Sequence, residues 1–549
     1  MRKRYFSGQM IFLLATIIAL TGCDGKESEQ TSDNTNSGPV FGGGLTYATD
    51  REPLCLDPHT LGDIPQVLIS QQFLDSLVSM DNDGHIRPWL AKSWDISPDG
   101  LVYVFHLRGD VYFTDGTRFD AAALKANLDH MVDPKTQSST ASNYLRQYQS
   151  TEIVDKYTAA VHLSRPYTAF LEVLAQGFLG IESPTAIKRT REENCAAPVG
   201  SGPFKVVRWD RQSQVVLERN QNYAWAPPTA LHQGPAYLDR IIWKFIPDPV
   251  VRFASLQSGE VDVIDSLPPE AHGPARQNPD ITLLLRDRPG NPTHGAFNTT
   301  REPFNDLRVR EAFIRSANVD GALKSVFFGE FTRASGSLNP ATPFYSADFE
   351  GTQNYDPTRA NQLLDEAGWD KRNGDGYRIK GSQKLVVKIP LGTFLSNADR
   401  ALWEQIQAST KQVGFAVDLE PMSTAEMIKC CYSGWDYDVR IGYWNTNTAD
   451  VLRYLFSSSF LKVASIFRPN STGFNQPEFD KIVSQALEAQ DEVARRGLYY
   501  KAQAIIAQNY LQLSLYPQST RLAIYKTARD VRIESSLSIS YLYDAWIKK

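Results

Sequence analysis

Apolar residues in this chain recur at two spacings, and the switches between them mark out its elements. From Val102 to Leu107, Val102, Val104, the neighbouring aromatics and Leu107 follow the period of a strand, between the turn residues Pro98-Asp99-Gly100 and Asp115-Gly116. At Asp120 the period becomes helical. Asp120 is placed to cap a helix, Phe119 to staple against Leu124, and Leu124, Leu128 and Met131 share one face. Leu45–Pro58 reads as a strand and a loop, and Gln66–Val78 as a core helix. Tyr157–Leu163 alternates as a strand, Tyr167–Leu174 is a short helix and Pro198–Tyr223 a hairpin. Tyr237–Leu267 runs strand, helix, strand, the alternation of an α/β lobe.

The second half continues in the same way. Asp306 precedes a helix with Val309, Ala312, Phe313 and Ala317 on one face. Asp356-Pro357 opens a helix as cap and first residue, and Gly368 stops it. Asp370–Gly376 lacks the spacing and twelfth-position glutamate of a calcium loop, and is predicted to be a turn before a strand at Lys384–Ile389. Ser423 and Glu426 form a capping box ahead of Cys430 and Cys431. A strand is predicted at Asp436–Tyr443, a polar loop at Trp444–Asp450, helices around Glu478–Leu487 and Val493–Gln508, and a strand through Leu511, Leu513 and Leu515.

Composition changes this picture little. The 549 residues are 42% apolar and 22% charged, an ordinary globular balance, and a formal charge of −5 gives no basic excess for a nucleic-acid partner. The N-terminus adds an address. Arg2, Lys3 and Arg4 precede an apolar run from Met10 to Leu20 that is too short to span a bilayer. It ends in Leu20-Thr21-Gly22-Cys23, which looks like a bacterial lipobox, so residues 1–22 are expected to be a signal peptide and Cys23 the lipidated residue. Removing residues 1–22 takes away three cations and moves the formal charge from −5 to −8. Asp24 after the cysteine resembles the signal for retention at the inner membrane, and residues 23–44 have the polar composition of a tether.

The sequence shows no nucleophile elbow, no zinc-protease helix, no phosphate loop and no Cys/His zinc spacing. Gly200-Ser201-Gly202 is followed by Pro203 and a strand, which excludes a phosphate-loop reading. No catalytic residue, metal ligand or cofactor is therefore assigned.

The residue strings are more specific than the periods. Trp89-Leu90-Ala91-Lys92-Ser93-Trp94, the Asp99-Gly100 turn, Leu107-Arg108 and Phe113-Thr114-Asp115-Gly116 occur in one order. Further on come Gly200-Ser201-Gly202-Pro203-Phe204, Gly259-Glu260-Val261-Asp262 and the helix string from Tyr355 to Trp369. Together they resemble the bacterial extracytoplasmic solute-binding proteins of family 5, the peptide, dipeptide and nickel class. The resemblance runs from Leu45 almost to the C-terminus, with Ser201 in place of the usual threonine.

That resemblance implies an α/β, two-lobed periplasmic-binding-protein (Venus-flytrap) fold of the large class. Lobe I is expected at 45–292, with an inserted subdomain at about 60–195, lobe II at 293–510, and a return to lobe I at 511–549. The strand at Thr293–Asn298 is the expected first crossing and the strand at Leu511–Leu515 the second. The implied function is capture of a peptide or peptide-like solute by hinge closure, followed by delivery to a membrane permease driven by a cytoplasmic ATPase. The protein is expected to be a monomer held at the inner membrane through Cys23. A nickel or metal-chelate cargo is the alternative within the class, and an envelope hydrolase the alternative outside it. By analogy the solute contacts are Tyr47, Asp50, Tyr144, Arg146, Tyr443, Trp444, Asn445 and Asn447, and Cys55 and Cys195 pair as a disulfide. Asn445 stands where peptide binders of the family hold the peptide amine with an acid, which points to a modified or blocked peptide.

Overall fold

A computed structural model of the chain describes residues 38–461 and 468–548. The signal peptide, Cys23 and most of the tether lie outside the described residues. A seven-stranded sheet organises one half, in the order Ile281–Asp287, Ser519–Tyr525, Val263–Ile264, Gly44–Thr49, Arg240–Phe245, Gln214–Arg219, Phe204–Asp210. Gly44–Thr49 sits at its centre, paired in parallel with Arg240–Phe245 and with Val263–Ile264. Leu45, Tyr47 and Ala48 are all buried, as a strand covered on both faces requires. A separate antiparallel sheet, in the order Ala91–Ile96, Val102–Leu107, Thr158–Leu163, Tyr148–Asp155, joins the same apolar core. Tyr103, Phe105 and Leu107 turn inward on it, and helix Ala121–Val132 contributes Leu124, Leu128 and Met131. The Asp120 carboxylate accepts from the Ala123 N–H, which fixes where that helix begins.

The other half is built on the strands Val439–Asn445, Gly290–Phe297 and Gln512–Tyr516, all antiparallel. Beside them lies the parallel pair Val386–Leu391 and Ala416–Pro421. Helices Leu307–Ser316, Pro357–Glu366 and Asn397–Val413 close a second core around Phe313, Leu364, Trp403 and Ile406. Helices Pro477–Glu488 and Glu492–Gln508 form a third with Val451–Phe456.

The chain passes between the two halves twice, and the passages run side by side. Asp287 pairs with Ser519 at the end of one sheet and Thr293 with Tyr516 in the other; between them the Arg288 N–H donates to the Gln518 carbonyl at 2.8 Å. The crossings therefore fall at Arg288-Pro289 and Pro517-Gln518. The strand at Gln512–Tyr516 stays with the second sheet, and it is the strand after it that returns to the first.

Two elements differ from their sequence expectations. The helix expected over Gln66–Val78 spans only Ile64–Ser70. After it the backbone is claimed by the hairpin: the Phe73 carbonyl accepts from Gly202 N–H at 3.0 Å and the Gln72 carbonyl from Phe204 N–H at 3.2 Å. A Cβ on Gly200 would lie 1.9 Å from the Phe73 oxygen, so the glycine is what admits this approach. The strand expected to end at Tyr443 continues through Trp444 and Asn445, held opposite Asn291 and Gly290.

Candidate functional site

The facing edges of the two halves enclose a cavity of about 620 Å³. Its first wall is the loop after the central strand (Asp50, Arg51), the first turn of helix Ile64–Ser70, and the segments carrying Arg252, Asp265 and Arg288. Its second wall is Thr393–Asp399, Phe327, Phe331, Ile441, Tyr443 and Tyr516.

Most of the charged groups there are already committed. Arg252 donates to the carbonyls of Ile246, Pro247, Asp265 and Ser266. The Arg288 Nε donates to Thr520 Oγ1 at 2.8 Å. Asp399 accepts from the Ser396 N–H in the capping box of helix Asn397–Val413 and from the Tyr516 hydroxyl. Burial pushes the Asp265 carboxyl upward, with Arg288 opposing and Asp50 adding to the shift. Arg51 differs. Its Nε is buried and has no hydrogen-bond partner among the described residues. Burial works against its charge, but Tyr443, Asp50 and Asp63 more than offset that and lift its pKa above the usual arginine value. Tyr443 faces the guanidinium from the opposite wall, and its oxygen favours the charge across the cavity.

Of the residues expected from the sequence, Asp50 and Tyr443 line the cavity. Tyr47 does not. It is fully buried beneath the floor, stacked on Trp243 at 3.9 Å, its hydroxyl accepting from Ser540 at 3.1 Å. Tyr144, Arg146, Trp444 and Asn447 lie along a seam where the halves touch, and there Tyr144, Trp444 and Asn447 are engaged by hydrogen bonds across it. The Trp444 Nε1 donates to the Tyr144 hydroxyl at 3.0 Å. Asn447 accepts from Gln176 Nε2 at 2.6 Å and donates to the Glu172 carbonyl at 2.7 Å. Arg146 stacks 4.3 Å above the Phe460 ring. Asn445 stands apart: both atoms of its side-chain amide are buried without a partner among the described residues. Asp450 is held in a two-pronged ion pair with Arg453 at 2.8 and 2.6 Å. Cys55 and Cys195 are joined in a disulfide with Cα atoms 4.6 Å apart.

The sequence reading missed Arg51, whose only signal is its place beside Asp50. It also missed two sets of residues with metal-ligand chemistry: Asp57, His59 and Glu182, all buried, and Asp81, Asp83 and His85, partly or fully exposed. Neither set lines the cavity. Glu182 is too distant in sequence from the others for spacing to reveal the first.

Residues 85–462 match the family described as bacterial extracellular solute-binding proteins, family 5 Middle. The chain belongs to that family. The glutathione-binding protein GsiB of Escherichia coli K12 is 29% identical over 465 residues, covering 82% of this chain and 85% of its own. Among solved structures, the ABC transporter-associated periplasmic binding protein DppA of Helicobacter pylori, in complex with the peptide STSA, is 25% identical. It aligns with TM-score 0.79 over 93% of this chain and 99% of its own. NikA of Brucella suis, in complex with Fe(III)-EDTA, is also 25% identical, with TM-score 0.79 over 92% of this chain and 100% of its own. The two halves are thus the two lobes of a family 5 binding protein, and the cavity is the cleft between them. The family 5 protein is a periplasmic solute-binding component of an ABC importer, and its members are binding proteins rather than enzymes.

Proposed function

We propose that this protein captures a small zwitterionic peptide or peptide-like solute in the cleft, closes over it, and presents it to an ABC permease. Arg51 is the observation that carries this reading. A buried guanidinium Nε without a partner leaves a strong donor unused, and a solute carboxylate satisfies it with a charge-assisted hydrogen bond. Asp50, adjacent on the same wall, supplies the complementary anion for an ammonium group. Asp450 is closed to that task by Arg453. The expectation of a blocked peptide rested on Asn445 replacing an acid; with Asp50 on the wall, a free amine is accommodated.

The cavity falls in the range of about 300–1,000 Å³ of small-molecule sites. Relatives bind solutes of this kind, glutathione in one case and a tetrapeptide in another. Tyr47 supports the floor, while Tyr144, Arg146, Trp444 and Asn447 hold the lobes together around the solute. Lobe I comprises residues 45–288 with the subdomain at about 60–195, lobe II residues 289–517, and 518–549 the return. Lipidated Cys23 tethers the monomer to the inner membrane.

Calorimetry on the purified protein tests the solute class. Glutathione and plain di- and tripeptides should bind in the micromolar range or tighter, N-acetylated peptides at least ~10-fold more weakly. Equal affinity for acetylated and free peptides, or binding only of a nickel–histidine complex, would reject the zwitterion reading. For the anchor, Cys23→Ser should release the protein from membrane pellets.

A further inference from the structure

Away from the cleft, four polar side chains meet in the first lobe beside the Cys55–Cys195 disulfide. Asp57, His59, Glu182 and Asn194 have relative exposures of 2%, 0%, 0% and 3%. The disulfide brings them together, since Asp57 and His59 follow one cysteine and Asn194 precedes the other. Asn194 Nδ2 donates to Asp57 at 3.1 Å and to Glu182 at 2.8 Å, bridging the two carboxylates. Asp57 also accepts from the His59 N–H at 2.7 Å and from Thr60 Oγ1 at 3.1 Å. Glu182 is held from behind by Asn127, which bonds both its N–H and its carbonyl at 2.8 Å.

The orientation of His59 is informative. Its Nε2 lies 2.7 Å from the Gly180 carbonyl, which only accepts, so Nε2 carries the hydrogen. Nδ1 then presents a lone pair to Asp57 Oδ1, 3.9 Å away, and has no hydrogen-bond partner among the described residues. Glu182 Oε1 is likewise buried and unpartnered. One ligand atom from each of Asp57, His59 and Glu182 lies within 4.8 Å of the others. The His130 ring stands 5.6 Å from that of His59, with its Nε2 also buried and unpartnered.

Two buried atoms without partners among the described residues, His59 Nδ1 and Glu182 Oε1, stand beside the Asp57 carboxylate and together offer a cation its donor set. An imidazole that ligates through one nitrogen and donates through the other to a backbone carbonyl is the usual arrangement at metal sites. We infer that Asp57, His59 and Glu182 bind a divalent transition cation of the zinc kind in a structural site that fastens two segments of the first lobe. Nitrogen and carboxylate donors suit zinc, and the site's distance from the cleft separates it from any cargo.

The experiment uses the full chain, stripped with a chelator and dialysed against zinc. Metal per chain is counted by plasma mass spectrometry, and thermal unfolding is recorded with and without about 100 Kd of free zinc. One tightly held zinc and a rise in Tm of about 2–4 °C are expected. Glu182→Gln and His59→Gln, checked for folding by circular dichroism, should lose the metal, and His85→Ala in the exposed cluster should keep it. No zinc in the wild type, undiminished zinc in a folded Glu182→Gln, or zinc lost in His85→Ala would each overturn the assignment. Where neither interior variant folds, the His85→Ala result and the Tm shift decide.

Discussion

Arg51 and Asp75 show how burial sets the behaviour of a single residue. Arg51 keeps its charge because Tyr443, Asp50 and Asp63 surround it. Arg51→Ala should weaken binding of a carboxylate-bearing solute by about 10–100-fold, the loss of one charge-assisted hydrogen bond, with Tm little changed. Calorimetry and thermal unfolding measure both. Asp75 is fully buried and accepts from Ser201, Trp225 and Tyr223, yet burial outweighs these donors and pushes its pKa up to about 7. The folded state therefore holds a proton that the unfolded chain, titrating near 4, has released. Its stabilising contribution is complete below about pH 4 and is lost as pH rises through about 7. Asp75→Asn should flatten the dependence of urea midpoint on pH across that window. An unchanged slope would place the titration elsewhere.

Secondary structure was legible wherever a local device fixes it. Asp120, Asp356 and Ser423 cap helices because each side chain meets a backbone N–H a few residues on, a contact encoded within one turn. The helix at Ile64–Ser70 was misjudged because its end depends on Gly200 and Gly202, more than a hundred residues away. The residues that line the cleft divide in the same way. Asp50 could be placed from the loop after a strand and Tyr443 from the end of one, but Arg51 could be singled out only once Tyr443 was known to face it. Gly200→Ala should force the hairpin off Phe73 and cost about 1–3 kcal/mol or more, read as a lower urea midpoint. Cys55→Ser with Cys195→Ser opens a link across 140 residues, worth about 5 kcal/mol in the chain-entropy treatment, and should lower Tm markedly.

For the molecule as a whole, the seam sets how readily the lobes stay together. Trp444 to Tyr144, Asn447 to Gln176 and the Tyr167–Tyr454 hydroxyl pair at 3.1 Å all join one lobe to the other. A solute that touches both walls adds to these bonds and shifts the population toward closure. Trp444→Phe combined with Asn447→Ala should favour the open form by about 1–3 kcal/mol and weaken affinity correspondingly, without altering which solutes are preferred. X-ray scattering of the solute-free variant should show a larger radius of gyration than the wild type.

The paired crossings at Arg288 and Gln518 have a mechanical consequence. Two strands laid edge to edge and tied by a backbone hydrogen bond bend easily about the line through both but resist shear and twist, as a door does on two pins. Opening is then a motion with one degree of freedom. Distances between spin labels placed anywhere along the mouth of the cleft should all vary as functions of a single angle. A pair of labels that moved independently of the rest would mean that one pin had come loose.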